Sequence, residues 1–260
     1  MKLDFFKMHA QGNDYIYFDF IDKPFPDIVL SKLAIKLSER NYSIGSDGIV
    51  LILNSKTCDA KMRMFNADGS EAKMCGSALR CVSYFLSQRS GKDEVTVETL
   101  VGNKTGSIKD KVERLVTTDL GVPVFIQDDK IIINDLEGNL ISVGNPHFVT
   151  FMKSLSDNIA KYQGPIIDNP AFFPDGINVE FVKKISKNEI EIKVWERGSG
   201  ATLACGTGAC AASFCGIQKG LLSSPVIVQM PGGSVTVELK KSNIFLTGKV
   251  EYVFEGSVEI

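Results

Sequence analysis

The sequence predicts an α+β chain of two pseudo-symmetric domains, each a curved, mainly antiparallel sheet wrapped around a central helix. Three observations lead there. MCGSAL at 74–79 and ACGTGA at 204–209 place a Cys-Gly-hydroxyl-small unit once in each half. Other landmarks recur in the same order at nearly the same spacing. Gly12-Asn13 returns as Gly144-Asn145 (144 − 12 = 132), Asp47-Gly48-Ile49 as Asp175-Gly176-Ile177 (175 − 47 = 128), and Cys75 as Cys205 (205 − 75 = 130). Phe65-Asn66 and Trp195-Glu196 each begin ten residues before their cysteine. Ordered recurrence at a near-constant offset marks an internal duplication. Finally, most of the remaining chain reads as short strands separated by turns, which favours a curved sheet around a helix over a parallel doubly wound sheet.

Helical periodicity is clearest after each cysteine: Ala78, Leu79, Val82, Phe85 and Leu86 repeat at three- and four-residue steps, and Ala211, Phe214, Cys215 and Ile217 do so more weakly. Both segments read as buried central helices, and a further helix is expected over 27–40. Strands are expected at 49–53, 60–65, 94–100, 130–135, 188–195, 225–230 and 234–239. The duplication puts the first domain at 1–116 and the second at 117–249. The terminal EYVFEGSVEI is expected to cross back to the first domain, so that 250–260 joins it.

A chain of 260 residues, 44% apolar and 23% charged, can bury two modest cores. Its net charge of −2 and lack of any long basic run give no footprint for nucleic acid or an anionic membrane, so the expected partner is a small molecule. MKLDFFKMHAQGND turns polar too early for a signal peptide, and no apolar run approaches the roughly 20 residues a spanning helix needs, which points to the cytoplasm. In that reducing compartment the six cysteines are not expected to form stable bridges. Their spacings miss the common zinc patterns, and His9 and His147 are the only histidines, so no metal site is expected.

A cysteine followed by Gly and a hydroxyl residue at a helix start has unpaired backbone N–H groups around its sulfur. These favour the thiolate and also form an anion site. Two such helix starts, one per domain, are expected to serve one carboxylate with a sulfur on each side of it. That arrangement suits proton abstraction from the carbon next to the carboxylate by one thiolate and proton return by the opposing thiol, which inverts the centre. The extra charge of the intermediate lies on the carboxylate oxygens, where the N–H donors stabilise it. Free cysteine is among the most buried residue types, and Cys58, Cys81, Cys210 and Cys215 read as core. Cys75 and Cys205 stand apart because their context is duplicated.

At these residues the chain resembles the diaminopimelate epimerase family, the cofactor-independent amino-acid epimerases with paired cysteines. The resemblance runs through KMHAQGNDY (7–15), IGSDGIVLI (44–52), MRMFNADGSEAKMCGSALRC (62–81), VGNPHFV (143–149), DGINVEF (175–181), WERGSGATLACGTGACAA (195–212), MPGG (230–233) and VFEG (253–256). It implies that Cys75 and Cys205 are the base and acid, exchanging roles when the reaction reverses. Gly76, Ser77, Gly206 and Thr207 would bind the reacting carboxylate through backbone N–H groups. His147 and Glu196 would assist proton movement at the thiols, with Asn13 lining the site. Asn66, Asn145, Asn178 and Arg197 would hold the distal amino-acid end, Arg197 pairing its carboxylate. No cofactor is implied.

Taken singly, the three asparagines also suit turns and caps, and Glu196 with Arg197 also suits a solvated pair at a strand end. His9 lies outside the matched positions. Two departures stand out: the family usually has Asn-Gly where this chain has Ser77-Ala78, and usually Glu where it has Ala201. The resemblance implies interconversion of LL- and meso-diaminopimelate. Racemisation of another amino acid on the same scaffold is the alternative, with a thiol redox switch and a non-catalytic binding protein ranked below. A homodimer through an exposed sheet edge is compatible with the sequence.

Overall fold

Alternate residues of a strand point to opposite faces, and Asn13–Phe20 uses this rule to face two cores at once. The computed structural model describes all residues from Met1 to Ile260. Two units divide it: Met1–Thr118 with Gly248–Ile260, and Asp119–Thr247.

The first unit carries β1 (Lys2–Ala10), β2 (Asn13–Phe20), α1 (Leu30–Ser38), β3 (Gly48–Leu53), β4 (Ala60–Asn66), β5 (Glu71–Ala72), α2 (Gly76–Ser90), β6 (Glu94–Thr99), β7 (Gly102–Asp110) and β8 (Leu115–Asp119). Antiparallel neighbours predominate, but β2 runs parallel to β3 and β4 parallel to β6. A parallel pair needs a crossover connection. Helix α1 lies in the first crossover and α2 in the second. Tyr15 and Tyr17 of β2, with Val50 and Ile52 of β3, pack in the cluster around Leu79, Val82 and Leu86 of α2. Ile16 and Phe18, with Ile49 and Leu51, face Leu30, Leu33 and Leu37 of α1.

The second unit repeats this plan. It contains β9 (Val124–Phe125), β10 (Ile131–Ile133), β11 (Leu136–Ser142), β12 (Pro146–Met152), α3 (Ile159–Ile167), β13 (Asn178–Lys184), β14 (Glu189–Glu196), β15 (Gly200–Thr202), α4 (Gly206–Gln218), β16 (Val226–Met230), β17 (Gly233–Lys240) and β18 (Asn243–Lys249). Strands β12 and β13 are parallel across α3, and β14 and β16 across α4. Phe148, Val179 and Phe181 join the α3 core. The following strand, β19 (Glu251–Glu259), pairs antiparallel with β1 in the first unit.

The duplicated cysteines therefore precede the central crossover helices. In each unit a short hairpin strand, β5 or β15, ends a few residues before the helix begins. The sequence misjudges some boundaries. Helix α1 covers 30–38 rather than 27–40, because the backbone is still extended at Val29 and Glu39 turns out of helical geometry. The strand expected at 130–135 ends at Ile133, since Asn134 and Asp135 take positive φ in the β10–β11 turn. Cys81, Cys210 and Cys215 are core residues, but Cys58 is only partly buried. It sits in a turn where Ser55 Oγ accepts its backbone N–H at 3.1 Å. No helix is long and apolar enough to cross a membrane.

Candidate active site

In the first unit, Cys75 caps α2 with an extended backbone and a half-buried side chain. Asn13, at the start of β2, donates its side-chain amide to Cys75 Sγ at 3.7 Å. The turn that presents Asn13 is anchored by charge: Asp14 meets Lys7 at 2.8 Å and Arg40 at 2.5 Å, and Asp47 Oδ2 accepts the Asp14 N–H. Gly76 and Ser77 form the first turn of α2, where backbone N–H groups have no intrahelical acceptor. Both residues are buried, and no acidic side chain occupies that turn. An anionic ligand suits the position. Asn66 ends β4, and its amide donates to Ser70 Oγ at 3.0 Å in the following turn.

The second unit gathers more of the expected residues. Cys205 caps α4 and is 3% exposed. Its sulfur accepts the Gly208 N–H at 3.4 Å and lies 3.5 Å from Thr207 Oγ1. The Asn145 amide contacts Thr207 Oγ1 at 3.4 Å and His147 Nε2 at 3.0 Å. His147 Nδ1 faces Glu180 Oε1 at 2.7 Å, and both side chains are fully buried. Glu196 accepts the Thr202 hydroxyl and a hydrogen bond from Cys205.

Glu196 and Arg197 do not form the solvated pair that their adjacency allows. As consecutive residues at a strand end they diverge: Glu196 turns in toward Cys205, while Arg197 Nη1 donates to the Asp175 carbonyl at 2.9 Å. Asn178 ties the two regions, donating to the Pro146 carbonyl at 2.9 Å and accepting the Arg197 N–H at 3.1 Å. Gly176 has φ +72°, and a Cβ there would stand 2.8 Å from the Arg197 stem. The Arg197 head faces no carboxylate of the protein, so it can receive one from a ligand.

One expectation fails at Cys205. Helix-start N–H groups do favour a thiolate, yet burial pushes this thiol well up, and the carboxylates of Glu196 and Glu180 add to the rise. The Thr207 and Gly208 donors only oppose that rise. Cys205 is therefore held as a thiol, a proton donor. Burial likewise raises Glu196, against the Thr202 and Cys205 hydrogen bonds. Burial also pushes Cys81 up to about 12 and Cys215 up to about 11, in keeping with inert core thiols.

Glu180 is not among the residues that the duplicated motifs single out. The signal was available: on β13 a residue two beyond Asn178 faces the same side. The departures at 77 and 201 leave the half-sites intact. Ser77 still offers its backbone N–H, and Ala201 is exposed on β15, paired with Trp195. His9 accepts the Gly12 N–H at 3.4 Å in the β1–β2 turn.

A duplicated α+β scaffold with a cysteine capping each central helix defines an isomerase of the epimerase and racemase class. Among solved structures the fold matches a PhzF-family phenazine biosynthesis protein from Bacillus anthracis (TM-score 0.74, 17% identity, all of both chains). It also matches a hydroxyproline epimerase from Agrobacterium vitis (TM-score 0.72, 15% identity, 99% of this chain and 92% of that one). The diaminopimelate epimerase family model matches residues 5–126 and 139–253, and the chain belongs to that family. Diaminopimelate epimerases from Halothermothrix orenii (39% identity, 100% of this chain and 99% of that one) and Bacteroides thetaiotaomicron (40%, 99% and 98%) are similar over their full lengths.

Proposed function

We propose that this enzyme interconverts LL- and meso-diaminopimelate by proton transfer between Cys75, the substrate α-carbon and Cys205. The observation that carries the reading is the Cys205 half-site. A thiol kept protonated chiefly by its burial, and further by the Glu196 and Glu180 carboxylates, lies at the start of a helix whose first N–H groups can take a carboxylate. In one direction Cys75 removes the α-proton as a thiolate while Cys205 delivers its own proton to the opposite face. In the other direction the roles exchange. Gly76, Ser77, Gly206 and Thr207 stabilise the carboxylate charge of the carbanionic intermediate.

The distal amino-acid head falls to Asn66, Asn145, Asn178 and Arg197, whose guanidinium supplies the cationic partner that a second carboxylate requires. A substrate without that head would leave Arg197 unused. The proposed setting is the cytoplasm, in supply of lysine and peptidoglycan precursors. The test is incubation of LL-diaminopimelate with the enzyme in deuterium oxide. Meso product carrying deuterium at the inverted centre is expected. Faster exchange with an amino acid lacking a distal head would overturn the substrate assignment and favour a racemase of another amino acid.

A further inference from the structure

We infer that Glu180 is a positioning residue of the Cys205 half-site, a buried negative charge that orients His147 and sets the field in which the Cys205 sulfur gains and loses its proton. The inference rests on the proposed acid–base role of Cys205.

Glu180 is fully buried on β13, and only one of its carboxylate oxygens has a partner: Oε1 lies 2.7 Å from His147 Nδ1, while Oε2 is buried with none. A buried carboxylate is expensive, and where packing alone matters an apolar side chain of similar shape usually does as well or better. The surroundings are shaped to admit this group. A Cβ on Gly208 would stand 2.5 Å from Glu180 Oε1 and 3.1 Å from its Cδ. That same Gly208 donates its backbone N–H to the Cys205 sulfur. One residue thus lacks a side chain where the carboxylate arrives and offers a donor where the thiol sits.

The titratable groups around Cys205 come from three strands: His147 on β12, Glu180 on β13 and Glu196 on β14. Burial is the largest influence on the thiol, followed by Glu196 and then Glu180. A carboxylate accepts hydrogen bonds, so Glu180 Oε1 holds the Nδ1 edge of His147 and thereby sets the ring orientation, with Nε2 3.0 Å from the Asn145 Oδ1 and the Asn145 amide nitrogen donating to Thr207. When Cys205 gives its proton to carbon, Glu180 disfavours the resulting thiolate. The same repulsion draws a proton back to sulfur in the reverse direction. The proton moves between sulfur and carbon, and Glu180 gains or loses nothing.

The test uses the full chain with cysteines labelled at ¹³Cβ, whose chemical shift follows thiol titration without needing reagent access. Glu180→Gln keeps the shape and removes the charge. The Cys205 resonance is expected to titrate lower by about one pH unit or more, while Cys75 and Cys81 do not move. For diaminopimelate, kcat is expected to fall about 100-fold with KM within about threefold. Glu180→Asp retains the charge but withdraws it from His147, so kcat falls while Cys205 titrates closer to wild type. Should Glu180→Gln not fold, a ¹³Cδ-glutamate label in the wild-type chain reads the same coupling. The Glu180 signal must show a step at the Cys205 titration, and Cys205→Ser must erase it. An unmoved Cys205 titration in Glu180→Gln, or no such step in the wild-type signal, overturns the inference. Because the titrations need no substrate, intact coupling in a protein that ignores diaminopimelate would overturn the substrate assignment alone.

Discussion

Thr202 donates its hydroxyl to Glu196 Oε1 at 2.5 Å across the β14–β15 hairpin, and this bond turns the Glu196 carboxyl away from Arg197 and toward Cys205. The bond favours the ionised carboxylate and opposes the rise caused by burial. Thr202→Val is nearly isosteric and removes only that donor. The Glu196 carboxyl should then ionise at higher pH, and the acidic limb of the kcat–pH profile should move up with it. A loss of about tenfold in kcat is expected. An unmoved acidic limb would separate Glu196 from the titration that governs turnover.

The two cysteines are predicted to be individually indispensable. Cys75→Ala and Cys205→Ala should each reduce epimerisation by about 100- to 10,000-fold, the usual worth of a general acid or base. Full turnover in either variant would favour a binding protein over an enzyme using both thiols. Differential alkylation is a further check. Cys75 is half-buried whereas Cys205 is 3% exposed, so iodoacetamide should label Cys75 first.

How much of this was legible in the sequence follows from what each feature needs. Recurring Cys-Gly-hydroxyl units reveal both helix starts, because a cap and a following apolar period are local signals. Strand alternation likewise exposes most of the sheet. Helix α3 went unseen: Gly164-Pro165 falls inside its nine residues and reads as a break. The raised Cys205 thiol is not legible in the sequence because the helix start is local, whereas the burial of the sulfur and the approach of Glu196 and Glu180 arise only through the folding of β13 and β14. The divergence of Glu196 and Arg197 was invisible for the same reason: Thr202 and Asp175 decide it, on different elements.

Arg197 should govern substrate choice more than chemistry. Arg197→Met removes the cationic head while keeping an apolar stem against Gly176. KM for diaminopimelate should rise roughly 10- to 100-fold, the worth of a charged hydrogen-bonded contact, with a smaller change in kcat. Arg197→Lys should recover only part of the loss, since an ammonium lacks the planar fork that grips a carboxylate. A loss confined to kcat would place Arg197 at the reacting centre instead.

Gly208→Ala tests the tightest approach in the second half-site. The new Cβ would stand 2.5 Å from Glu180 Oε1, and Glu180 is buried on every side, so the carboxylate must shift or α4 must move. Overpacking of this kind costs about 1 to 3 kcal/mol. A lower urea midpoint together with lower kcat is expected. An unchanged midpoint with unchanged kcat would mean that the half-site relaxes freely around the added methyl.

Alkaline pH should destabilise the fold through its buried thiols. Burial lifts Cys215 from 9.0 to about 11, against the opposing charges of Lys219 and Lys130. A folded-state value above the unfolded one means that the native protein keeps a proton the unfolded chain has already released. The resulting stability is present below about pH 9 and is lost as pH rises through about 11. For this one thiol the loss is on the order of 3 kcal/mol. Cys81, lifted to about 12, extends the decline further up the scale. Urea midpoints measured between pH 8 and 12 should therefore fall across this window, and Cys215→Ala should flatten the first part of the fall. An equal slope in Cys215→Ala would mean that this thiol exchanges its proton freely in the native state, contrary to its 1% exposure.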